Sequence, residues 1–579
     1  MAMTDLAGRP GRLLAVRLLI GLSQGLALYL LWRFRESLPA APLRALTLVA
    51  LLAPVAALGA VGALRARPLA LWLTGVVLVL AGLGAYDGYV HGSEPALLRD
   101  PWPRPELFVF AAAALFIAHH LVLPAVAERR WIAAYSSYFD EGWKDGVRLA
   151  LGVAFVGALW LLLWLGAGLF KLIGLKFLET LIEQPWFAAP ATTVFFAAAI
   201  HVTDIRASLV LGARTLALNL LAWLMPLMAL IAGGFLVALA FTGLGPLWQT
   251  GRAGGMLLAA AAALVVLINA TYQDGAREGY PPAVLKWSVR LAAVVLAPLV
   301  AVAAYGLVLR IGQHGLTPGR IYALACLAVA VVYAAGYAWA ALSRGPWMRR
   351  LEGVNVVAAH LAILVILAVF SPLADPARLA AADQLARLQR GAVAPENLDY
   401  GFLRFDAGRW GQAALRTLAA DPRPAVRERA ADALLQTNRW DRTPKMPVVR
   451  RNAFAPLGAA ALPADFLAQS WPLGEDPASG CSEACPALVR DMDGDGAEEI
   501  VVFRGSDPRV YRRTAQGWRG VGGLAGSWCP SDVEALRAGR YEVRPPRGSA
   551  IIVNGREYVV AVERACPPGR AAPARPAAQ

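Results

Sequence analysis

Apolar blocks of about 20 residues recur through the first 372 positions with hardly a gap, and a helix of about that length crosses the ~30 Å hydrocarbon core of a bilayer. They can be marked out near 13–32, 45–64, 68–86, 106–127, 147–169, 189–209, 215–241, 254–272, 287–309, 320–342 and 354–370, eleven in all. The composition agrees, with 58% hydrophobic and only 16% charged residues in a chain of 579. The expected fold class is a polytopic α-helical membrane protein of about 11 transmembrane helices followed by a C-terminal α+β region. Val354 to Phe370 is the last and shortest block. It separates a membrane bundle, residues 1–372, from a chain that turns charged, Pro-rich and Cys-bearing.

The formal charge of +15 invites a nucleic-acid reading, and its placement argues against one. Before Pro372 there are 27 Lys and Arg against 16 Asp and Glu; from there on, 28 against 24. The excess therefore sits in the membrane loops, where it suits anionic headgroups and insertion signals. With the N-terminus in the cytoplasm, alternate loops carry 17 basic residues inside and 10 outside, as retention of positive charge requires. An odd number of spans then places the C-terminal region outside the cytoplasm. Arg9, Arg12 and Arg17 before Leu18 to Trp32 have the outline of a signal peptide. The cleavage site is poor and more spans come at once, so an uncleaved first helix is expected.

Two connectors stand out. Lys171 to Trp186 sets Lys176, Glu179 and Glu183 opposite Leu175, Leu178, Leu181 and Ile182, which predicts an interfacial helix on the outer leaflet, either a lid or a plain connector. Tyr135 to Asp145, YSSYFDEGWKD, is expected as its cytoplasmic counterpart, its aromatics belonging to the headgroup belt.

After Pro372 a helical periplasmic segment, 373–445, is expected. Asp375-Pro376 is a good helix start, and Arg409 to Ala419 with Ala425 to Gln436 reads as an antiparallel helical pair. A β-rich domain, 446–566, comes next, with strands near Glu499–Phe503, Arg509–Arg513, Tyr541–Arg544, and a hairpin from Ser549–Val553 to Tyr558–Val562 across Asn554-Gly555. Residues 567–579 read as a disordered tail.

Cys481, Cys485, Cys529 and Cys566 fall in that β-rich region, and Cys326 lies in a predicted span. An even set placed outside the cytoplasm favours disulfides, with three pairings open. The rival is a four-thiolate zinc site, although C-x3-C is not the paired spacing of zinc ribbons. Asp491, Asp493 and Asp495, then Gly496, the Ala497 carbonyl and Glu499 form D-x-D-G-D-G-x-x-E, a loop able to wrap a hard cation. It resembles the calcium loop of FG-GAP-type repeats, so structural Ca2+ is the natural candidate; the alternative is an ion-free acidic turn.

All six histidines precede Pro372, which removes imidazole bases from the C-terminal region, and no phosphate-binding G-x-x-x-x-G-K-[ST] loop is present. Ionisable residues inside the membrane are expensive and default to functional candidates. The best cluster is His201, Asp204 and Arg206 with Arg214 and Asn219. His201 and Asp204, one helical turn apart, could form a proton-responsive pair or hold a polar headgroup; the rival reading has Asp204, Arg206 and Arg214 marking a helix end and pairing with each other. At least one of His119 and His120 should face protein or water, and His360 is expected to face the bundle.

Tyr138-Phe139-Asp140 with Trp143-Lys144, His201-Val202-Thr203-Asp204-Ile205-Arg206, Arg214-Thr215-Leu216, Asn269 to Gly275 and Leu403-Arg404-Phe405-Asp406-Ala407-Gly408-Arg409 stand in a specific order. In that order the chain resembles, over nearly its full length, a bacterial integral-membrane family known as domain-of-unknown-function family 4153. The resemblance implies a bacterial inner (cytoplasmic) membrane location and supplies no activity, cofactor or catalytic residue. The expected function is non-enzymatic. The bundle would handle a lipid, ion or small solute, and the periplasmic domain would sense or bind an envelope partner. The alternative is a membrane-embedded transferase acting on a lipid-linked envelope substrate.

Overall fold

The computed structural model describes residues 10–92, 101–245, 247, 253–276 and 281–436 and, further on, 454–457, 460–469, 471, 477, 484–492, 495–504, 507–515, 517–524, 532, 534–535, 538, 540, 551–553 and 556–558. The chain forms two compact units, residues 1–434 and 435–579.

Among the described residues of the first unit, eleven helices are long and apolar enough to cross a membrane. They are α1 (Pro10–Arg33), α2 (Ala40–Ala60), α3 (Ala66–His91), α4 (Pro105–Glu128), α5 (Tyr135–Leu172), α7 (Pro185–Ile205), α8 (Ala207–Thr242), α9 (Ala253–Tyr272), α10 (Ala283–His314), α11 (Pro318–Leu342) and α12 (Arg350–Val369), with the short α6 (Phe177–Ile182) after α5. A helix satisfies its own backbone hydrogen bonds, which hydrocarbon cannot do for it. α8 to α12 pack on one another around Leu264, Leu296 and Tyr337, while α1 packs against α7 and α2 against α3. α4 and α5 touch helices of both groups.

Small residues let these helices approach where hydrophobic attraction between helices is weak. Gly84, Gly88 and Gly92 recur every fourth residue near the end of α3. A Cβ on Gly84 would lie 2.6 Å from the Arg44 carbonyl oxygen, and one on Gly88 would lie 2.5 Å from that of Ala40. Gly21 and Gly25 of α1 meet Thr193 and Pro190 of α7 in the same way.

The single interfacial helix expected over Lys171–Trp186 is divided instead. α5 runs on to Leu172, Gly174 at φ +82° comes after its end, and Pro185 opens α7 with Trp186 already inside it. Tyr135–Asp145 is likewise no separate element. It forms the first turns of α5, a helix of 38 residues.

Beyond α12, Asp375 caps α13 (Pro376–Gln389) by accepting from the backbone N–H groups of Ala377 and Arg378. A π-helical turn (Phe402–Asp406) leads into α14 (Gly408–Leu418) and α15 (Pro424–Leu435), two helices where the pair is expected, both contributing to one apolar cluster with Leu388 and Leu403. This segment belongs to the first unit and does not stand alone. The other Asp375 oxygen accepts from Tyr86 of α3 at 2.7 Å and from Trp410 of α14 at 2.9 Å. Gly408, at φ +52°, lies where a Cβ would come 2.3 Å from the Val90 carbonyl oxygen. One residue along α3 from Tyr86, buried Asp87 gathers Arg44 at 2.8 Å, Arg104 at 2.7 Å and His91 at 3.4 Å.

The second unit contains a five-stranded sheet in sequential order: β1 (Phe454–Pro456), β2 (Cys485–Arg490), β3 (Glu499–Arg504), β4 (Asp507–Thr514) and β5 (Gly517–Gly523). β1 runs parallel to β2 and the rest is an antiparallel meander. Phe466 of α16 (Ala464–Ala468) is fully buried on one face among Phe454, Trp471, Tyr511 and Trp518. β6 (Ile551–Val553) and β7 (Arg556–Tyr558) pair antiparallel. Tyr541–Arg544, Asn554-Gly555 and the tail 567–579 lie outside the described residues.

The glycine contacts of α3 have a direct consequence. Gly88→Leu should force α2 from α3 and cost about 2 kcal/mol or more, read as a lower thermal midpoint of the detergent-solubilised protein. Gly82→Leu, where an added Cβ meets nothing within 4 Å, should leave that midpoint unchanged.

Candidate functional site

The beginning of α5 carries two interleaved sets of residues with one spacing. Ser137, Asp140, Glu141, Lys144, Asp145 and Arg148 keep the i, i+3, i+4, i+7, i+8, i+11 pattern of a single helix face. Tyr135, Tyr138, Phe139, Gly142, Trp143 and Gly146 keep it two residues earlier, which rotates them to the opposite face. Each set lines its own cavity. The charged face borders a cavity of about 720 Å³ between α1, α2, α4, α5 and α7; the aromatic face borders one of about 440 Å³ between α4, α5, α9, α11 and α12. Phe116 and His120 of α4 line both.

In the larger cavity the charges form a continuous chain across four helices. Asp204 of α7 accepts from Arg17 of α1 at 2.9 Å and from Arg148 of α5 at 2.5 Å. Arg148 also donates to Asp145 at 2.9 Å, and the second Asp145 oxygen lies 3.2 Å from His120 Nε2. His120 Nδ1 lies 2.7 Å from the Phe116 carbonyl oxygen, so both ring nitrogens face acceptors. Lys144 pairs with Glu141, and Arg214 of α8 with Asp140. Glu128 accepts from Ser137 Oγ at 2.6 Å and Ala134 N at 3.0 Å. Burial is uneven: Arg17 is 3% and His119 6% exposed, whereas the side chains of Asp204 and Asp140 are 31% and 48% exposed. Arg17 Nε, Arg148 Nε and His119 Nδ1 are buried without a hydrogen-bond partner from the protein. The remaining wall is apolar, from Leu52, Val55, Leu115, Leu123 and Phe196 among others.

His201 and Asp204 do come together, because Arg17 reaches both; its Nη1 lies 3.4 Å from His201 Nδ1. Asp204, Arg206 and Arg214 do not pair with each other as a helix-end cluster. Asp204 bonds to α1 and α5, Arg214 bonds to α5, and Arg206 and Asn219 are exposed and line neither cavity. His119 and His120 are both buried in the cavity wall. His360 is exposed and does not face the bundle; its Nδ1 is served by the carbonyl of Val356 one turn back, so the ring needs no partner from another helix. The residues sequence reasoning missed are Arg17, Asp140, Asp145 and Arg148. For the α5 members the signal was their spacing; for Arg17 there was none.

In the smaller cavity Asn269, Asn355, Tyr135 and Tyr337 close a tetrad. Asn269 Nδ2 donates to Val265 O at 2.8 Å and to Tyr337 at 2.7 Å, and Asn355 Nδ2 to Asn269 Oδ1 at 2.6 Å and to Tyr135 at 3.2 Å. The hydroxyls of Tyr135 and Tyr337 donate to Asn269 Oδ1 at 3.2 Å and Asn355 Oδ1 at 2.6 Å.

The acidic motif forms the β2–β3 turn of the second unit, where Asp491 accepts from Gly496 N at 3.0 Å and Asp495 from Ala497 N at 2.8 Å. Glu499, 1% exposed, is held by Met492 N at 2.8 Å and Arg512 Nε at 3.0 Å. The carboxylates suit a hard cation in kind, and Glu499 acts as a strut, each of its oxygens already accepting one hydrogen bond. Asp493 lies outside the described residues, and among those described no three His, Cys, Asp or Glu side chains converge on a metal. Cys485 is buried on β2; Cys481, Cys529 and Cys566 lie outside the described residues. Cys326, on α11, is free.

No protein-family model matches the chain, and no curated protein or solved structure is similar to it.

The charge chain yields a test. Asp204→Asn leaves the buried Arg17 guanidinium without its countercharge, while Arg148 keeps Asp145, and should cost about 1–2 kcal/mol in denaturant or thermal unfolding, because Asp204 itself is only half-buried. Arg206→Gln, two residues on and exposed, should stay within about 0.5 kcal/mol of the parent.

Proposed function

We propose that this chain is an inner-membrane protein of the bacterial envelope that holds an amphiphilic small molecule, a lipid or lipid-linked solute, in the charged cavity without transforming it. One observation carries the reading: a single cavity of about 720 Å³ joins Arg17, Lys144, Arg148 and five carboxylates to a leucine- and phenylalanine-bearing wall. A headgroup finds donors and acceptors in the first part, and an acyl or isoprenoid chain finds the second. The loop charges and the family resemblance support the inner membrane, with the N-terminus cytoplasmic and residues beyond α12 on the periplasmic side. The C-terminal unit, with its cysteines and acidic turn, would serve as an envelope-facing binding domain.

A transferase is the second reading, and His119 favours it. Its imidazole is buried in the cavity wall with Nδ1 unpartnered, its ring centroid 5.4 Å from that of His120. That is where a general base would sit against a bound lipid-linked substrate.

Native mass spectrometry of the full chain separates the readings. A retained adduct of lipid mass, lost when Val55→Trp fills the cavity, is expected. No adduct, or one that survives Val55→Trp, would remove the proposal. Turnover of added lipid-linked substrate that disappears in His119→Ala would favour the transferase.

The acidic turn is assigned structural calcium, held by Asp491, Asp493, Asp495 and the Ala497 carbonyl with Glu499 as the strut behind them. Calorimetry of the full chain should give calcium-dependent heat and a raised midpoint, both absent in Asp495→Asn. No heat in the parent would leave an ion-free turn.

A further inference from the structure

The smaller cavity has its own chemistry, distinct from that of the charged one. Phe116, Tyr135, Tyr138, Phe139, Trp143 and Tyr333 place six aromatic side chains around about 440 Å³. Among the described residues no Lys, Arg, Asp or Glu lines it. The amides do not serve as donors either. All four amide hydrogens of Asn269 and Asn355, and the hydroxyl hydrogens of Tyr135 and Tyr337, are spent inside the tetrad and on Val265 O. What the tetrad keeps to offer is oxygen lone pairs. Aromatic rings and acceptor oxygens with no charged side chain beside them favour an electropositive guest; the donors left in the wall are the hydroxyls of Tyr138 and Tyr333 and the indole N–H of Trp143, which makes a sugar the competitor to test.

Two polar groups stand near and are both partnered. His120 is turned to Asp145 and the Phe116 carbonyl, and Arg214, whose guanidinium lies 5.4 Å from the centre of the Phe139 ring, is paired with Asp140. The space itself is kept by glycine. At Gly142 and Gly146, one turn apart in the cavity wall, an added Cβ would meet nothing within 4 Å. In a helix interior glycine costs roughly 1 kcal/mol relative to alanine, so two of them facing open space sacrifice helix stability for volume.

We propose that the aromatic cavity is a binding site for an organic ammonium group, tertiary or quaternary, separate from the amphiphile site on the charged face of α5. The cation lies among the rings at the seam where α4 and α5 meet α9, α11 and α12. Its alkyl substituents fill the space that Gly142 and Gly146 leave open.

The test titrates the full chain, in a nonionic maltoside detergent, with tetraethylammonium by calorimetry. One saturable site is expected. Gly146→Leu should abolish it, Trp143→Leu should weaken it roughly tenfold, and Val55→Trp in the other cavity should leave it unchanged. Gly157→Leu, at a second open position of α5 outside both cavities, should bind as the parent does. A short-chain phosphatidylcholine that displaces tetraethylammonium far better than free choline identifies a lipid-borne ammonium; choline that competes equally identifies a soluble one. No saturable binding, binding indifferent to Gly146→Leu, or methyl glucoside binding as tightly as tetraethylammonium would overturn the proposal.

Discussion

Asp204 accepts from Arg17 and Arg148, and the bundle on the α1 side depends on that shared carboxylate. Asp204 stands in the last turn of α7 and Arg17 early in α1, and a charge left unpaired within a membrane helix is costly. Together, with Asp145 and His120 continuing the chain, they offset one another and tie α1, α7, α5 and α4 at one place. Helices in lipid gain little from burying leucine against leucine, so polar contacts and close small-residue packing must hold them. The structure uses both. Gly21 and Gly25 bring α1 onto α7, and the ion pairs fix that pair against α5.

The same logic recurs around Asp87 and Asp375. Asp87 draws in Arg44 and Arg104, and its neighbour Tyr86 shares Asp375 with Trp410. This second knot fastens α13 and α14 to the bundle. The chain beyond α12 is therefore, through residue 434, part of the membrane unit, with the second unit beginning at Leu435. Between the knots, α5 presents charge to one group of helices and aromatic rings to the other. The partition of polar from aromatic chemistry is thus a property of one helix and its period.

Much of this was legible in the sequence, for a physical reason. Apolar blocks of spanning length mark helices regardless of their neighbours, and the Asp375-Pro376 start and the α14–α15 pair rest on equally local signals. Long-range partners leave no such mark. Arg17 and Asp204 are 187 residues apart, and a basic residue ahead of a first span satisfies the same loop statistic whether it meets water or a carboxylate. The face of α5 was a different failure. Its charges stood at helical spacing, yet assigning its aromatics to the headgroup belt left the second face without a role. Lys171–Trp186 misled in the opposite sense: an amphipathic pattern suggested one helix where Gly174 and Pro185 divide it.

If the charged cavity admits a headgroup, it must reach water from the α1 N-terminal end of the bundle. Ser137 lines it, is small, and can be replaced by cysteine after the native cysteines are changed to serine. The decisive measurement is labelling of Ser137→Cys with a membrane-impermeant maleimide in inverted and in right-side-out vesicles. Labelling in inverted vesicles alone, slowed when Val55→Trp is added, is the expected result. A thiol that stays unreactive in both orientations, or reacts only from the outer face, would contradict it.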